Sequence, residues 1–249
     1  MTTRDLDVDV ATRELLDQRA GGVFDPAELD GLPDPVRRYF EASIAPGIGV
    51  ASAATVRMRG HIKIGRWLPF TAREVLAPHR GFVWRARAAA IISGHDAYLD
   101  GRAAVRWKVL GVATVMRASG ADVAESAAGR CGGEAMWLPT TLLPRFNVAW
   151  SVRAMDHLVA RFDVDTTPIE LHLRVDSEGR PTSVVFERWG DPDGSDTFGW
   201  HRFGGDITAH QTFNGLTVPS AGNWGWHHGT DRWDDGRFFR CRITALDPR

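Results

Sequence analysis

The residues best suited to chemistry lie in one alanine-rich segment, residues 119–136. Ser126, Arg130 and Glu134 recur at every fourth position, so they share one polar stripe if the segment is a helix. A carboxyl group beside a guanidinium can exchange a proton with a reacting molecule, which makes Glu134 a candidate acid or base and Arg130 its partner. The alternative interpretation is an ion pair on a helix surface, which contributes little.

His201 is the second candidate for proton transfer, because a histidine titrates near neutral pH. It alternates with Trp200 in F-G-W-H-R-F-G-G. Arg188, like Arg130, could hold an oxyanion or a carboxylate beside either group. A histidine held in a structural hydrogen bond is the competing interpretation for His201.

Further polar and aromatic side chains gather in W-G-W-H-H-G-T-D-R-W-D-D-G, residues 224–236. Adjacent side chains of a strand point to opposite faces, so His227 and His228 would not bind one metal ion. We predict no metal site here and place His228 on the face of Trp226, where both could contact a ligand. Arg232 could clamp a ligand carboxylate or pair with a nearby aspartate.

The chain has ten tryptophans and twelve phenylalanines but only two tyrosines. Large apolar aromatic side chains fill protein cores and line apolar binding sites. Trp84, Trp107 and Trp150 lie in stretches of alternating hydrophobicity, which predicts that they face the core. If the sheet encloses a cavity, some of them would also contact a ligand.

Alternation of apolar and polar residues predicts strands through most of the chain after residue 52. Turn signals such as Asn214-Gly215 and Asp235-Gly236 separate the alternating rows and indicate hairpins. About ten strands joined by tight turns predict a mainly β fold, a strongly curved antiparallel meander with N-terminal helices and one inserted helix. A slip of one residue would exchange the two faces, so the sequence leaves open which face points inward.

No linker or repeat divides the chain, so we expect a single domain over residues 1–249. Its expected parts are a helical segment (1–43), a first strand group (52–117), the inserted helix (119–136) and a second strand group (147–245).

Composition and charge argue against several functional classes. Thirty basic and thirty-one acidic residues nearly cancel, so no global field attracts nucleic acid or an anionic membrane. No stretch has the roughly 18 apolar residues of a membrane span, and the N-terminus lacks the apolar core of a secretory signal. Cys131 and Cys241 lack metal or redox spacing, which suggests free thiols in the cytoplasm. No nucleotide-binding or nucleophile motif indicates a cofactor or covalent catalysis.

Six motifs occur in fixed order from about residue 31 to the end: L-P-D-P-V-R-R-Y-F, G-R-W-L-P-F-T-A, G-F-V-W, A-S-G-A-D-V-A-E-S-A-A-G-R, R-W-G-D-P-D-G and H-H-G-T-D-R-W-D-D-G-R-F-F-R. Together they resemble an uncharacterised bacterial family, common in actinobacteria and registered as a domain of unknown function. The resemblance implies no activity. The chain departs from the family pattern at Cys131-Gly132-Gly133, where bulkier residues are usual, so its cavity need not match that of its relatives.

A second resemblance is architectural. A meander that ends in the hairpin G-L-T-V-P (residues 215–219) and a final strand is similar to the lipoprotein-carrier half-barrel (LolA/LolB-like), in which a curved sheet wraps helices over an apolar cavity. Those carriers are exported, whereas no export signal is evident here. The resemblance therefore implies a small-molecule binder, or a cofactor-independent enzyme like the violacein-pathway member of that fold.

Three hypotheses follow. The first is a cytoplasmic protein that binds an apolar or aromatic small molecule in an aromatic-lined cavity. The second is a cofactor-independent cyclase, isomerase or lyase, in which Glu134 or His201 moves protons. The third is a scaffold with a filled core. An empty pocket would exclude the third, and convergent polar groups within it would favour the second. The sequence fixes neither the ligand nor the oligomeric state.

Overall fold

The computed structural model describes residues 6–18 and 21–249. Within them, four α-helices are present: α1 (Val8–Leu16), α2 (Asp34–Ser43), α3 (Ala121–Gly133) and the short α4 (Trp233–Gly236). A 3-10 helix precedes α2 (Pro26–Leu29), and three more follow α3 (Glu134–Trp137, Pro139–Leu142 and Pro144–Phe146).

The strands of the first half are β1 (Ala54–Ile64), β2 (Arg66–Ala77), β3 (Gly81–Ala88), β4 (Ile92–Leu99), β5 (Arg102–Val109) and β6 (Ala113–Ala118). Those of the second half are β7 (Ala149–Ala154), β8 (His157–Val164), β9 (Thr167–Val175), β10 (Pro181–Gly190), β11 (Gly199–Phe213), β12 (Leu216–Trp226) and β13 (Arg237–Pro248).

All these strands form one antiparallel sheet in the order β6-β5-β4-β3-β2-β1-β13-β12-β11-β10-β9-β8-β7. Consecutive strands pair as hairpins, except β6 and β7, and at the centre the first strand, β1, pairs with the last, β13. β6 and β7 are the two edges, so the sheet is open and does not close into a barrel. The predicted fold class, a mainly β antiparallel meander with N-terminal helices and one inserted helix, is confirmed.

The described strands number thirteen, where the sequence predicts about ten. β2 contains Pro69, β12 contains Pro219, and β4 begins with the polar run I-S-G-H-D. Proline and polar residues weaken a strand pattern when it is read alone. These segments are strands because each pairs with a strand on both sides, and the residues of the segment alone do not reveal that pairing.

The inserted helix α3 connects the two halves of the sheet in sequence. It packs against strands of both halves, β3–β5 and β8–β10, so the sheet curves around it. Its contact face is narrow: Gly132 lies against Ile169, and Gly133 lies against the ring of Phe186. The main core fills the space between this helix and the concave face of the sheet.

The N-terminal helices cover other surfaces. α1 packs against β2, β3 and β4, and its Leu15 belongs to a second, smaller apolar cluster with Val75 and Val83. α2 packs against β7 and β12, where Tyr39 and Phe40 contact Trp150. Throughout the described residues, the helices lack the length and apolar character that crossing a membrane requires.

Candidate functional site

A cavity of about 150 Å³ lies between the concave face of the sheet and the end of α3. Alternate residues of β10 point into it, namely Val184, Phe186 and Arg188, because side chains of a strand alternate between its faces. The chain after α3 forms the opposite wall. The aromatic part of the lining consists of Trp84, Trp137, Trp224, Phe186, Phe203, Phe238 and Phe239.

Arg130 of α3 forms the polar side of the cavity together with three carboxyl groups. Its Nε donates to Glu134 at 2.7 Å, its Nη1 to Asp96 at 3.0 Å and its Nη2 to Glu74 at 3.2 Å. Its guanidinium also lies over the ring of Trp84, 5.1 Å from the centroid. Burial makes such a cluster sensitive to the loss of one member, because the remaining charges cannot be solvated.

Glu74 is the most deeply buried of the three carboxyl groups, with no exposed surface. Burial, and then the charge of nearby Glu134, raise the pKa of Glu74 well above its usual value, although Arg130 opposes the shift. Glu74 also lies within hydrogen-bonding reach of Glu134. One proton on Glu74 would therefore relieve the repulsion between the two carboxyl groups. This arrangement couples a buried acid to Glu134, which lines the cavity.

Arg188 lies on the cavity wall in different surroundings. Its Nε donates to the carbonyl oxygen of Ser126 at 3.1 Å, and its guanidinium stacks over Phe203 and Trp226 at 4.9 and 5.1 Å. Among the described residues, no carboxylate forms an ion pair with Arg188. Burial and the neighbouring charge of Arg130 lower the pKa of Arg188 to about 10, so the guanidinium is cationic at neutral pH without a direct counterion.

Three indole N–H groups at the cavity also lack acceptors. The Nε1 atoms of Trp84, Trp137 and Trp224 are buried, and none has a hydrogen-bond partner among the described residues. A buried donor without an acceptor costs about 1–3 kcal/mol, and native proteins contain few of them. All three therefore lie as unsatisfied donors in the walls of one cavity.

The structure brings six of the sequence-predicted site residues together. Glu134, Arg130, Arg188 and Trp84 line the cavity. Trp107 lies behind Trp84, with ring centroids 5.6 Å apart, and its Nε1 donates to Asp96 at 3.0 Å. Trp226 lies beside Arg188.

His201, the second acid/base candidate, is not among the cavity-lining residues. It precedes Phe203 by two positions on β11 and therefore shares its face, but it lies farther along the strand. Its ring meets the edges of Trp226 and His227, at centroid distances of 6.3 and 6.1 Å. Of the two acid/base candidates, only Glu134 therefore lines the cavity.

Trp150 and Arg232 also lie elsewhere. The Nε1 of Trp150 donates to the carbonyl oxygen of Leu142 at 2.9 Å, and its ring packs beneath α2. Arg232 pairs with Asp193 across two loops, so the structural interpretation of this arginine applies, although the partner is more distant in sequence than predicted. Neither residue lines the cavity beneath α3.

His228 corrects a sequence prediction. We expected it on the face of Trp226, but its Nε2 hydrogen-bonds Asp206 at 2.9 Å, on the opposite face of the sheet. The reason is the backbone of His227, which has φ of 60° in the turn that follows β12 and ends the strand alternation. Among the described residues, no group of three His, Cys, Asp or Glu side chains could hold a metal ion.

Comparison with known proteins places this architecture in a family. The model of a family of unknown function, DUF6544, matches residues 22–238. The chain belongs to this family. With the exception of Phe239, the cavity-lining residues fall within the range that matches DUF6544. A search of curated proteins gives no match.

Two solved structures are similar to this member of DUF6544 in fold. One is a LolA superfamily protein from Nitrosomonas europaea, with 10% identity, a TM-score of 0.46 and coverage of 86% of this chain and 92% of that one. The other, from Vibrio parahaemolyticus, is described as an outer membrane lipoprotein-sorting protein domain, with 8% identity, a TM-score of 0.44 and coverage of 80% and 86%. At these values the likeness concerns the course of the chain and not its function.

Sequence reasoning missed Glu74, Asp96 and the cavity wall after α3. Glu74 pairs with Trp84 across β2 and β3, and Trp84 pairs with Asp96 across β3 and β4, so the three form one row on the concave face. Glu74 lies in one row with the apolar residues Phe70 and Leu76 on one face of β2, and a carboxylate in such an apolar row was a usable signal of a buried acid. Trp137 carries no such signal, since it follows a helix whose end depends on tertiary packing.

Proposed function

We propose that this protein binds an apolar or aromatic small molecule in the cavity beneath α3. The observation that carries the proposal is the aromatic lining of a space of about 150 Å³, next to unpaired polar groups. A scaffold with no ligand has no need of such a space.

Binding in the cytoplasm is part of the proposal. Cys131 and Cys241 are both free and buried, which suits a reducing compartment. Subcellular fractionation of the source cells, with detection of the native protein, tests the location independently of any ligand.

The first experiment is native mass spectrometry of the protein purified from its own host, followed by organic extraction. We expect a small molecule at about one per chain, released on denaturation. The second is thermal unfolding with neutral aromatic probes, indole and naphthalene, which we expect to raise the unfolding temperature by binding the folded chain only. If no compound is retained and neither probe stabilises the protein, the binding proposal fails.

A matched pair of variants locates the site. Val184→Phe adds a ring inside the cavity, whereas Val185→Phe adds the same ring on the opposite face of β10. We expect Val184→Phe to abolish retention and the thermal shift, and Val185→Phe to preserve both. Equal effects of the two variants would show that ligands bind elsewhere.

The Glu74–Glu134 pair favours one alternative, a cofactor-independent cyclase, isomerase or lyase on the same scaffold. A carboxyl group that lines a cavity and is coupled to a buried acid can take and return a proton. Deuterium exchange into the extracted compound tests this alternative. We expect Glu134→Gln to stop exchange while retaining the compound, and His201→Ala to leave exchange unchanged; retention without exchange in the unmodified protein would leave a binder.

A further inference from the structure

We infer that the ligand of this cavity is an apolar or aromatic carboxylic acid, bound as the carboxylate, with its acid group on Arg188. This inference rests on the binding function proposed above and adds the chemical class of the ligand. It follows from the contrast between two arginines and from the unpaired donors around them.

Arg130 and Arg188 line the same cavity but differ in what they bind. Each of the three guanidinium nitrogens of Arg130 donates to a carboxyl group of the protein, on Glu134, Asp96 or Glu74, so this cation already has its counterions. Arg188 uses its Nε for the carbonyl oxygen of Ser126, and neither of its terminal nitrogens has a hydrogen-bond partner among the described residues. Two parallel N–H donors of one guanidinium match the two oxygens of a carboxylate.

The position of Arg188 is fixed before any ligand arrives. Its guanidinium lies over the rings of Phe203 and Trp226, and its Nε donates to the carbonyl oxygen of Ser126. Its aliphatic stem passes close to Gly129, where a Cβ atom would lie only 3.2 Å from Cγ of Arg188. A cation that the protein holds in place loses little freedom when it binds an anion. Gly129 leaves room for this side chain, which gives a physical reason for a glycine in the middle of α3.

The three indoles extend the same argument. The buried Nε1–H groups of Trp84, Trp137 and Trp224 have no acceptors among the described residues, and all three side chains line the cavity. A purely hydrocarbon ligand would leave these donors and Arg188 unpaired. A carboxylate offers about four lone-pair directions, so it can accept from Arg188 and from any indole N–H within reach.

The acidic residues of the cavity do not oppose this assignment. Asp96 and Glu134 both accept from Arg130, and Glu74 has a raised pKa that favours its neutral form. With Glu74 neutral, Asp96 and Glu134 carry one negative charge more than Arg130 balances, and this charge favours the cationic form of Arg188 without forming an ion pair with it. Arg188 is therefore the cation whose terminal nitrogens remain open to a ligand.

The test uses two probes of nearly equal shape, 3-phenylpropionate and 3-phenylpropanamide, which differ in charge. Calorimetric titration of the full chain at neutral pH should show the acid binding roughly tenfold or more tightly than the amide. In Arg188→Met, which keeps the apolar stem and removes the charge, the preference should disappear while the amide binds as before. Arg188→Lys should retain part of the preference for the acid, because a single ammonium group replaces the two parallel N–H donors of the guanidinium.

Arg87→Met is the matched control, since Arg87 is exposed on the outward face of β3 and its loss should leave the preference intact. Thermal unfolding of each variant shows whether it is folded. If the amide binds the unmodified protein as tightly as the acid, or if Arg188→Met keeps the preference, the inference is overturned and the binding function stands. If neither probe binds, the inference is overturned too, and indole and naphthalene decide separately whether the cavity binds ligands.

Discussion

Arg130 shows how much of the site depends on single residues. Its side chain is 18% exposed and bridges Glu74 of β2, Asp96 of β4 and Glu134 after α3. One cation therefore ties the inserted helix to the first half of the sheet.

Arg130→Met should destabilise the protein by about 3–5 kcal/mol, because it leaves buried carboxyl groups without their cation. Urea unfolding followed by tryptophan fluorescence measures the loss. Arg232→Met is the control: its ion pair with Asp193 is half-exposed, so its removal should change the free energy of unfolding by less than about 1 kcal/mol. Similar losses for both variants would contradict a special role for the Arg130 cluster.

The pKa of Glu74 predicts a pH dependence. Because the folded state raises this pKa above the usual 4.5, folded protein binds the proton more tightly than unfolded chain does. The stabilisation from Glu74 is therefore complete below the unfolded pKa and is lost as pH rises through the folded one. The groups facing Glu74 are Glu134, Arg130 and Asp96.

Glu74→Gln keeps a neutral side chain at every pH. Between about pH 5 and about pH 8, its free energy of unfolding should rise by at least about 1 kcal/mol relative to the unmodified protein. Chemical unfolding across that range gives the two curves. Parallel curves would mean that Glu74 has the same pKa in both states.

Among the contacts of single residues, the sequence predicted those between residues a few positions apart. The Arg130–Glu134 pair follows from a spacing of four in a helix, and the structure contains it. The sequence could not show that Glu74 and Asp96 also contact Arg130, because their positions depend on the register of two hairpins. The error for His228 has a local cause, a single residue with positive φ.

The element that shapes the site is α3, and its glycines decide how closely it approaches the sheet. A Cβ on Gly133 would lie 2.2 Å from Cζ of Phe186, whereas a Cβ on Gly129 would lie 3.2 Å from Cγ of Arg188. The first neighbour is an aromatic ring fixed in the core. The second contact is longer, so the stem of Arg188 would have to move by only a few tenths of an ångström.

Gly133→Ala should therefore destabilise the protein by about 1–3 kcal/mol, although alanine favours helix by about 1 kcal/mol. Gly129→Ala, on the same helix, should change stability by less than about 1 kcal/mol in either direction. Guanidinium unfolding of the two variants compares them directly. A stabilised Gly133→Ala would mean that α3 can move away from β10.

Most elements were predictable because their signal is periodic. β1 and β9 show clear alternation of apolar and charged residues, and the alanine-rich composition marks α3. β2, β4 and β12 were harder, since proline, glycine or polar residues interrupt them and their neighbours supply the pairing. The sequence predicted that an aromatic-lined cavity exists but not which residues form its walls, because those walls come from both halves of the chain.

The whole molecule depends on the junction between β1 and β13 at the centre of the sheet. Gly60 lies opposite Cys241 there, and a Cβ on Gly60 would come within 1.9 Å of the carbonyl oxygen of Arg240. That neighbour is backbone, so no rotamer change relieves the overlap. The two halves of the sheet meet through this close approach.

Gly60→Ala should cost more than about 2 kcal/mol of stability, by forcing the two central strands apart. Gly49→Ala is the control, since a Cβ at exposed Gly49 meets no heavy atom within 4 Å. Thermal unfolding measured for both variants tests the prediction. An unchanged Gly60→Ala would show that the junction tolerates separation.

The position of β13 also has a consequence in time. Of the thirteen strands, the last to leave the ribosome is the one that occupies the middle of the sheet, paired with β1 and β12. Until it emerges, β1 and β12 expose two uncovered strand edges, which invite pairing with other chains. Closing the junction joins Ala54 to Pro248 across roughly 200 residues, a separation typical of slow folding. The nascent chain thus makes the first half-sheet, then the second, and can join them only when its final strand is complete.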